Sequence, residues 1–224
     1  MPKPDAAAES IKSSLYRQLA RVAQALASPG RLLILEYVAQ GERSVEALAA
    51  MTGLSMANAS KHLQALRQAG LVTARKEGLR VYYLLAGDDV VALVSALRAV
   101  AEHRVADVER LVRLWLTHRD EMEPVPAAEL LARARKGLVT VLDVRPTEEF
   151  AAGHIPGAIN VPLDQLEGLL AKLPRRKEIL AYCRGPYCLM SFEAVARLRQ
   201  LGWRARRLEN GFPEWRAAGL PVTS

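Results

Sequence analysis

The chain reads as two domains, a mainly α domain followed by an α/β domain with a mostly parallel sheet. Three observations give that reading. At 224 residues the chain exceeds one typical domain of about 100–150 residues. Its first half repeats apolar residues at three- and four-residue steps, the period of helices, while its second half alternates short apolar runs with helical segments. Between the halves stand Asp120, Glu121, Glu123, Pro124 and Pro126, which stop a helix and join no core easily. The expected division is therefore 1–119, a linker at 120–127, and 128–224.

Composition excludes several classes. Half of the residues are hydrophobic and 25% are charged, which is too apolar for an intrinsically disordered chain. No uninterrupted apolar run reaches the roughly 18 residues that would suggest a membrane span. Residues 1–9 have no apolar stretch that would mark export, so a cytoplasmic location is expected. The two cysteines, Cys183 and Cys188, lie too close in sequence to staple a secreted framework and point to local chemistry. A net charge of +7 fits a polyanionic partner. Residues 60–82 concentrate it: Lys61, Arg67, Arg75, Lys76 and Arg80 stand against Glu77 alone.

In the first half, Ile11, Leu15, Leu19, Val22 and Leu26 define one helix. Ser28-Pro29 starts a second helix that ends at Gly41. A short helix at 44–51, a turn at Thr52-Gly53 and a helix at 55–69 closed by Gly70 make a helix-turn-helix rhythm. Runs at 71–74 and 80–85 around Gly78 read as a hairpin, which would form a wing. One long helix over 88–118 follows, with Val90, Leu93, Leu97, Val100, Val105 and Leu111 among its apolar residues. So much apolar surface on a terminal helix implies a partner chain, so a homodimer is expected.

The helix at 55–69 sorts its residues by face. Ala59, His62, Leu63 and Leu66 fall together, whereas Ala57, Asn58, Lys61, Gln64 and Gln68 project elsewhere. Short polar residues with a lysine suit insertion into a major groove. The candidate DNA-binding set is Ser55, Ala57, Asn58, Ser60, Lys61, Gln64, Arg75, Lys76 and Arg80, with the basic members pairing with phosphates. A solvated helix beside a charged hairpin is the bland alternative.

The run His62-Leu63-Gln64-Ala65-Leu66-Arg67-Gln68-Ala69-Gly70-Leu71-Val72, followed by Arg75-Lys76-Glu77-Gly78-Leu79-Arg80-Val81-Tyr82-Tyr83, resembles the ArsR family over about residues 11–119. The resemblance implies a winged helix-turn-helix repressor that dimerises through its first and last helices and reads a double-stranded DNA operator. Many members of that family release DNA on binding metal through Cys or His. Here 44–51 contains neither, and Asp107, His118 and Glu121 supply only part of a known pattern, so no metal site and no cofactor are expected. His103 reads as a surface residue, and His62 as a packing and hydrogen-bonding one.

In the second half, strands are expected at 139–144, 179–183 and 204–208, with helices near 127–136, 146–151, 163–171, 189–201 and 212–218. Cys183 follows an apolar strand and precedes a helix, where unpaired N–H groups and the helix dipole favour a nucleophilic thiolate and a bound anion. Arg184 adds a cation beside it. An inert buried cysteine at a strand end is the alternative for Cys183 taken by itself.

Leu142-Asp143-Val144-Arg145, Gly153-His154-Ile155-Pro156-Gly157-Ala158, Tyr182-Cys183-Arg184-Gly185 and Asn210-Gly211-Phe212-Pro213-Glu214-Trp215 together resemble a single rhodanese domain over about 126–222. The resemblance implies a Cys183 persulfide formed from a small sulfur donor and passed to a thiol acceptor. It also implies an anion cradle of backbone amides from Arg184, Gly185, Pro186, Tyr187 and Cys188. His154, Pro156, Asp143 and Arg145 would then serve the fold. Two departures stand out: Pro186 occupies a usual glycine position and Cys188 replaces a terminal arginine. Losing that arginine removes a donor to thiosulfate, while gaining Cys188 places a thiol able to resolve a Cys183 persulfide into a disulfide or a sulfur-bridged link. The expected function is a DNA-binding regulator that senses or transfers sulfane sulfur through Cys183, Arg184 and Cys188. The alternative is an arsenite-responsive repressor whose rhodanese fold is idle.

Overall fold

A computed structural model describes residues 6–116, 123–169, 175 and 177–224. The chain divides into two compact units, Met1–Val90 and Val91–Ser224. Residues 120–122 of the expected linker lie outside the described residues. Val125, also in that linker, is fully buried, because its N–H donates to the Arg207 carbonyl and its carbonyl accepts from Glu209.

The first unit runs α1 (Ala6–Leu26), α2 (Pro29–Val38), β1 (Arg43–Ser44), α3 (Val45–Thr52), α4 (Met56–Gln68), β2 (Val72–Glu77) and β3 (Arg80–Leu85). Pro29 opens α2, where its missing N–H costs nothing. The Ser44 and Ser55 hydroxyls cap α3 and α4 by accepting from Ala47 and Asn58 N–H. Between these helices Gly53 takes φ +68°, a left-handed turn that glycine adopts without strain. Ile34, Leu35, Val38, Leu48, Ala59, Leu63, Leu66 and Tyr83 are buried. The sheet order is β1-β3-β2, antiparallel throughout. β2 extends beyond the expected 71–74, since Arg75, Lys76 and Glu77 pair with Tyr82, Val81 and Arg80. Both faces of that ribbon are solvated, so its sequence carries no apolar alternation to read.

α5 (Asp88–Arg104) and α6 (Ala106–Trp115) replace the single helix expected over 88–118. The helix stops at Val105, which is extended at φ −112° and ψ 103°. His103 and Arg104 sit in the last turn of α5, while Asp107 and Glu109 sit in the first turn of α6. Each charge thus faces the helix end of opposite sign. Ile11, Leu15 and Leu19 of α1, Leu93, Leu97 and Val100 of α5, and Leu111 and Leu114 of α6 are exposed.

The remainder of the second unit contains α7 (Ala127–Arg135), β4 (Val139–Asp143), α8 (Thr147–Ala152), β5 (Ile159–Asn160), a 3-10 turn (Leu163–Gln165), α9 (Leu166–Leu169), β6 (Glu178–Tyr182), α10 (Leu189–Gln200), β7 (Ala205–Arg207) and α11 (Phe212–Ala217). The sheet is parallel in the order β5-β4-β6-β7. Alternate residues of β6 feed two cores: Ile179 and Ala181 join Leu142, Val195 and Leu198, while Leu180 and Tyr182 join Val141, Phe212 and Trp215. Burial on both faces explains the continuous apolar runs. β5 was not expected, because two residues cannot display a period. The helix expected at 163–171 divides into the 3-10 turn and α9, and residues 170–174 lie outside the described residues. Among the described residues no helix is long and apolar enough to cross a membrane.

Candidate functional site

α4 presents its residues as its sequence implied. Ala59, Leu63 and Leu66 are buried, whereas Ser55, Ala57, Asn58, Lys61 and Gln64 are exposed and Ser60 is half-buried. The His62 ring packs on Gly30 at the start of α2, where a Cβ would stand 3.0 Å from Nε2. Lys76 and Arg80 are exposed on the wing. Arg75 is already engaged: Nε and Nη2 donate to the Glu42 carboxylate at 3.0 and 2.8 Å, and Nη1 donates to Glu77 at 2.6 Å. A phosphate would have to displace those carboxylates.

The second constellation lies where β6 meets α10. Cys183 follows the last residue of β6 and Cys188 is the N-cap of α10. Both are buried in the core, and they are joined as a disulfide with Cα atoms 6.3 Å apart, a separation such bonds span. Arg184 does not point its charge at the thiol. Its Nε and Nη2 donate to the buried Glu149 carboxylate at 3.0 and 2.7 Å, so it anchors the base of the loop. The amide cradle is also smaller than five positions. Pro186 has no N–H, and the Cys188 N–H donates to the Gly185 carbonyl.

Gly211 completes the loop's support and was missed as a site residue. A Cβ on it would lie 2.4 Å from the Arg184 carbonyl carbon and oxygen and from the Gly185 nitrogen. The neighbouring Phe212 N–H donates to the Cys183 carbonyl at 3.0 Å. Below the sheet ends, Arg145 is fully buried on Asp143 and also donates to the Gly153 carbonyl. His154 stacks on Phe150 with centroids 3.7 Å apart.

Among the described residues no three His, Cys, Asp or Glu side chains gather as a metal ion would need. His103 Nδ1 lies 2.6 Å from the Ala99 carbonyl of its own helix. His118 and Glu121 lie outside the described residues.

The pattern of rhodanese-like domains matches residues 126–218, and that of bacterial regulatory proteins of the arsR family matches residues 28–74. An HTH-type transcriptional regulator of Mycobacterium tuberculosis is 49% identical over 211 residues, covering 94% of this chain and 92% of that protein. The chain belongs to the arsR family of bacterial transcriptional regulators. Its rhodanese-like domain sets the regulator beside a second group. A sulfurtransferase of Allochromatium vinosum is 31% identical over 87 residues, covering 38% of this chain and 79% of that protein. The human thiosulfate:glutathione sulfurtransferase is 33% identical over 104 residues, covering 41% and 90%. A homodimeric winged helix-turn-helix DNA-binding domain from Mycobacterium bovis is 46% identical, with a TM-score of 0.41, covering 47% of this chain and 93% of that one.

Proposed function

We propose that the regulator binds operator DNA as a homodimer and that its rhodanese-like domain senses sulfane sulfur through Cys183 and Cys188. The observation that carries this reading is the pair itself: two thiols within bonding distance, one at a strand end and one at a helix start. In a protein that must meet DNA, a bond between loop cysteines is a transient redox element rather than a staple.

The chemistry balances in two steps. The Cys183 thiolate attacks the outer sulfur of a donor R–S–SH. A bond from Sγ to that sulfur forms, the donor S–S bond breaks, and R–S⁻ leaves. The Cys188 thiolate then attacks Sγ of Cys183, forming the disulfide and expelling the outer sulfur as HS⁻. Two thiols are thereby oxidised and one sulfane sulfur is reduced. The α10 N-terminus stabilises the charge on the attacking and leaving sulfurs. Arg184 and Gly185 shape the loop rather than supply charge, and Pro186 and Cys188 leave fewer donors for a dianion such as thiosulfate.

In the DNA-binding half, Asn58 and Gln64 read base edges, with Ser55, Ala57 and Ser60 at close approach. Lys61, Lys76 and Arg80 contact phosphate, and Arg75 joins them once it exchanges its carboxylates. The exposed apolar faces of α1, α5 and α6 meet a second copy.

Intact mass of the reduced full chain after sodium tetrasulfide, beside Cys183→Ser and Cys188→Ser, tests the sulfur reading. Loss of two hydrogens in the parent and a retained extra sulfur in Cys188→Ser are expected, with neither in Cys183→Ser. No mass change in the parent would refute it, and tight arsenite binding in its place would transfer the site to thiophilic-ion sensing.

A further inference from the structure

The cysteine loop is held unequally at its two ends. Its Cys183 end is fixed by main chain and by buried charge: Phe212 N–H on the Cys183 carbonyl, Arg184 on Glu149, and Gly211 against the Arg184-Gly185 peptide. Its Cys188 end carries Tyr187, which is 40% exposed, and what holds Tyr187 is α5. The Tyr187 hydroxyl donates to Glu102 Oε1, and the Arg98 guanidinium lies 5.3 Å from the Tyr187 ring centre. Burial, with the hydrogen bond and charge of Glu102, pushes the Tyr187 hydroxyl well above the usual phenol range, so it stays a donor.

Arg98 also closes a path back to the fixed end. Its Nη1 donates to Glu214 Oε1 at 3.1 Å, and Glu214 Oε2 accepts from the Gly211 N–H at 3.1 Å. Every member of this path belongs to the second compact unit. Two of them, Arg98 and Glu102, lie on the helix whose Leu93, Leu97 and Val100 are exposed.

We propose that Tyr187 reports the sulfur state of the Cys183/Cys188 pair to α5 through Glu102 and Arg98. The proposal rests on the reading of that pair as the sulfur site. Both thiols sit in a packed core, which has no spare volume for added atoms. A persulfide lengthens the Cys183 side chain by one S–S bond, about 2 Å. Opening the disulfide to two thiols likewise moves the sulfurs apart. The clamped end cannot yield, so the change is delivered to Cys188 and its neighbour Tyr187. There the Cys188 N–H on the Gly185 carbonyl and the Ser191 hydroxyl on the Cys188 carbonyl hold the main chain, and the Tyr187 side chain carries the change to α5. α5 begins three residues after β3 ends. Glu102 and Arg98 are positioning residues for the loop, and the coupling is reciprocal: whatever restrains α5 also biases the cysteine chemistry.

The test uses the full chain, reduced and then divided, with one half treated with sodium tetrasulfide. Intact mass reads sulfur chemistry at Cys183, and hydrogen exchange over 88–104 reads α5. The parent is expected to change its α5 exchange at least about fivefold between states, the low end of typical couplings. Glu102→Ala is expected to undergo the same mass change with equal α5 exchange in both states. Glu102→Gln keeps a carbonyl acceptor for Tyr187 and is expected to regain the difference. A full difference in Glu102→Ala, or sulfur chemistry in the parent without any change in α5, overturns the proposal while leaving the sulfur site standing. No mass change in the parent overturns the sulfur-site reading and this proposal with it.

Discussion

Replacing Gly211 with alanine isolates the steric support of the cysteine loop. The new Cβ would stand 2.4 Å from main-chain atoms of Arg184 and Gly185, more than 1 Å inside the ordinary carbon contact of about 3.5–4.0 Å. Those atoms cannot retreat, since Arg184 is tied to Glu149 and the Cys183 carbonyl to Phe212. Overpacking of this kind costs about 1–3 kcal/mol, and straining the Phe212 bond adds about 1 kcal/mol. Gly211 has φ −94° and ψ −175°, a conformation any residue adopts. Backbone strain therefore contributes nothing, and in open space the change would stabilise by about 0.4–1 kcal/mol. The sign alone discriminates. At about 4 °C per kcal/mol, where the scales for smaller and larger domains meet, Tm should fall by roughly 8–16 °C in scanning calorimetry of the full chain. Sulfur uptake at Cys183 should slow in parallel. An unchanged or raised Tm would refute the close approach.

Other substitutions test separate claims. Arg145→Met leaves Asp143 buried without its cation and should cost about 3–5 kcal/mol in urea denaturation; an unchanged midpoint would mean the pair is dispensable. Glu42→Gln removes one of the two carboxylates that hold Arg75 and should tighten binding to a duplex selected from a random library by the reduced protein. Because the pair is solvent-screened, the gain is limited to at most about fivefold and fades with salt; weaker binding would place Arg75 away from DNA. The Arg75 hydrogen bond, followed by its charge, holds the Glu42 carboxyl below the ordinary glutamate range despite opposing desolvation. That contact is therefore complete above the ordinary value and is lost as pH falls through the lowered one. NMR titration should find the midpoint low in the parent and higher in Arg75→Ala. Leu19→Glu should make the chain monomeric in sedimentation equilibrium, since each buried leucine contributes about 1.5–3 kcal/mol to an interface; an intact dimer would exclude α1 from it.

What the sequence revealed and what it hid divide by range. The faces of α4 follow from a 3.6-residue period, and the two-sided burial of β4 and β6 follows from unbroken apolar runs, so both were legible. The Arg184–Glu149 pair was not, because its members stand 35 residues apart and no local spacing relates them. By position alone Arg184 reads as a cation beside the thiol. Gly211 lies in the run Asn210–Trp215, yet the reason for a glycine there is an approach by a distant peptide. The break at Val105 did leave a signal: basic residues followed at once by acidic ones match a helix end meeting a helix start.

The departures in the cysteine loop pull in one direction. Pro186 lacks an N–H, the Cys188 amide donates to Gly185, and Arg184 pairs with Glu149, so on the proposed sulfur chemistry a dianionic donor would meet few hydrogen-bond donors and turnover should be slow. A nearby Cys188 also shortens the life of any persulfide before an external acceptor arrives. Both traits handicap an enzyme, but neither handicaps a switch. Moving an equilibrium from 1:99 to 99:1 by ligand binding demands a differential affinity of about 10⁴. Closing a covalent bond between Cys183 and Cys188 avoids that demand, since the state persists until a reductant reopens it. On this reading the loop exchanges catalytic speed for completeness of response, and α5, rather than an acceptor thiol, receives its output.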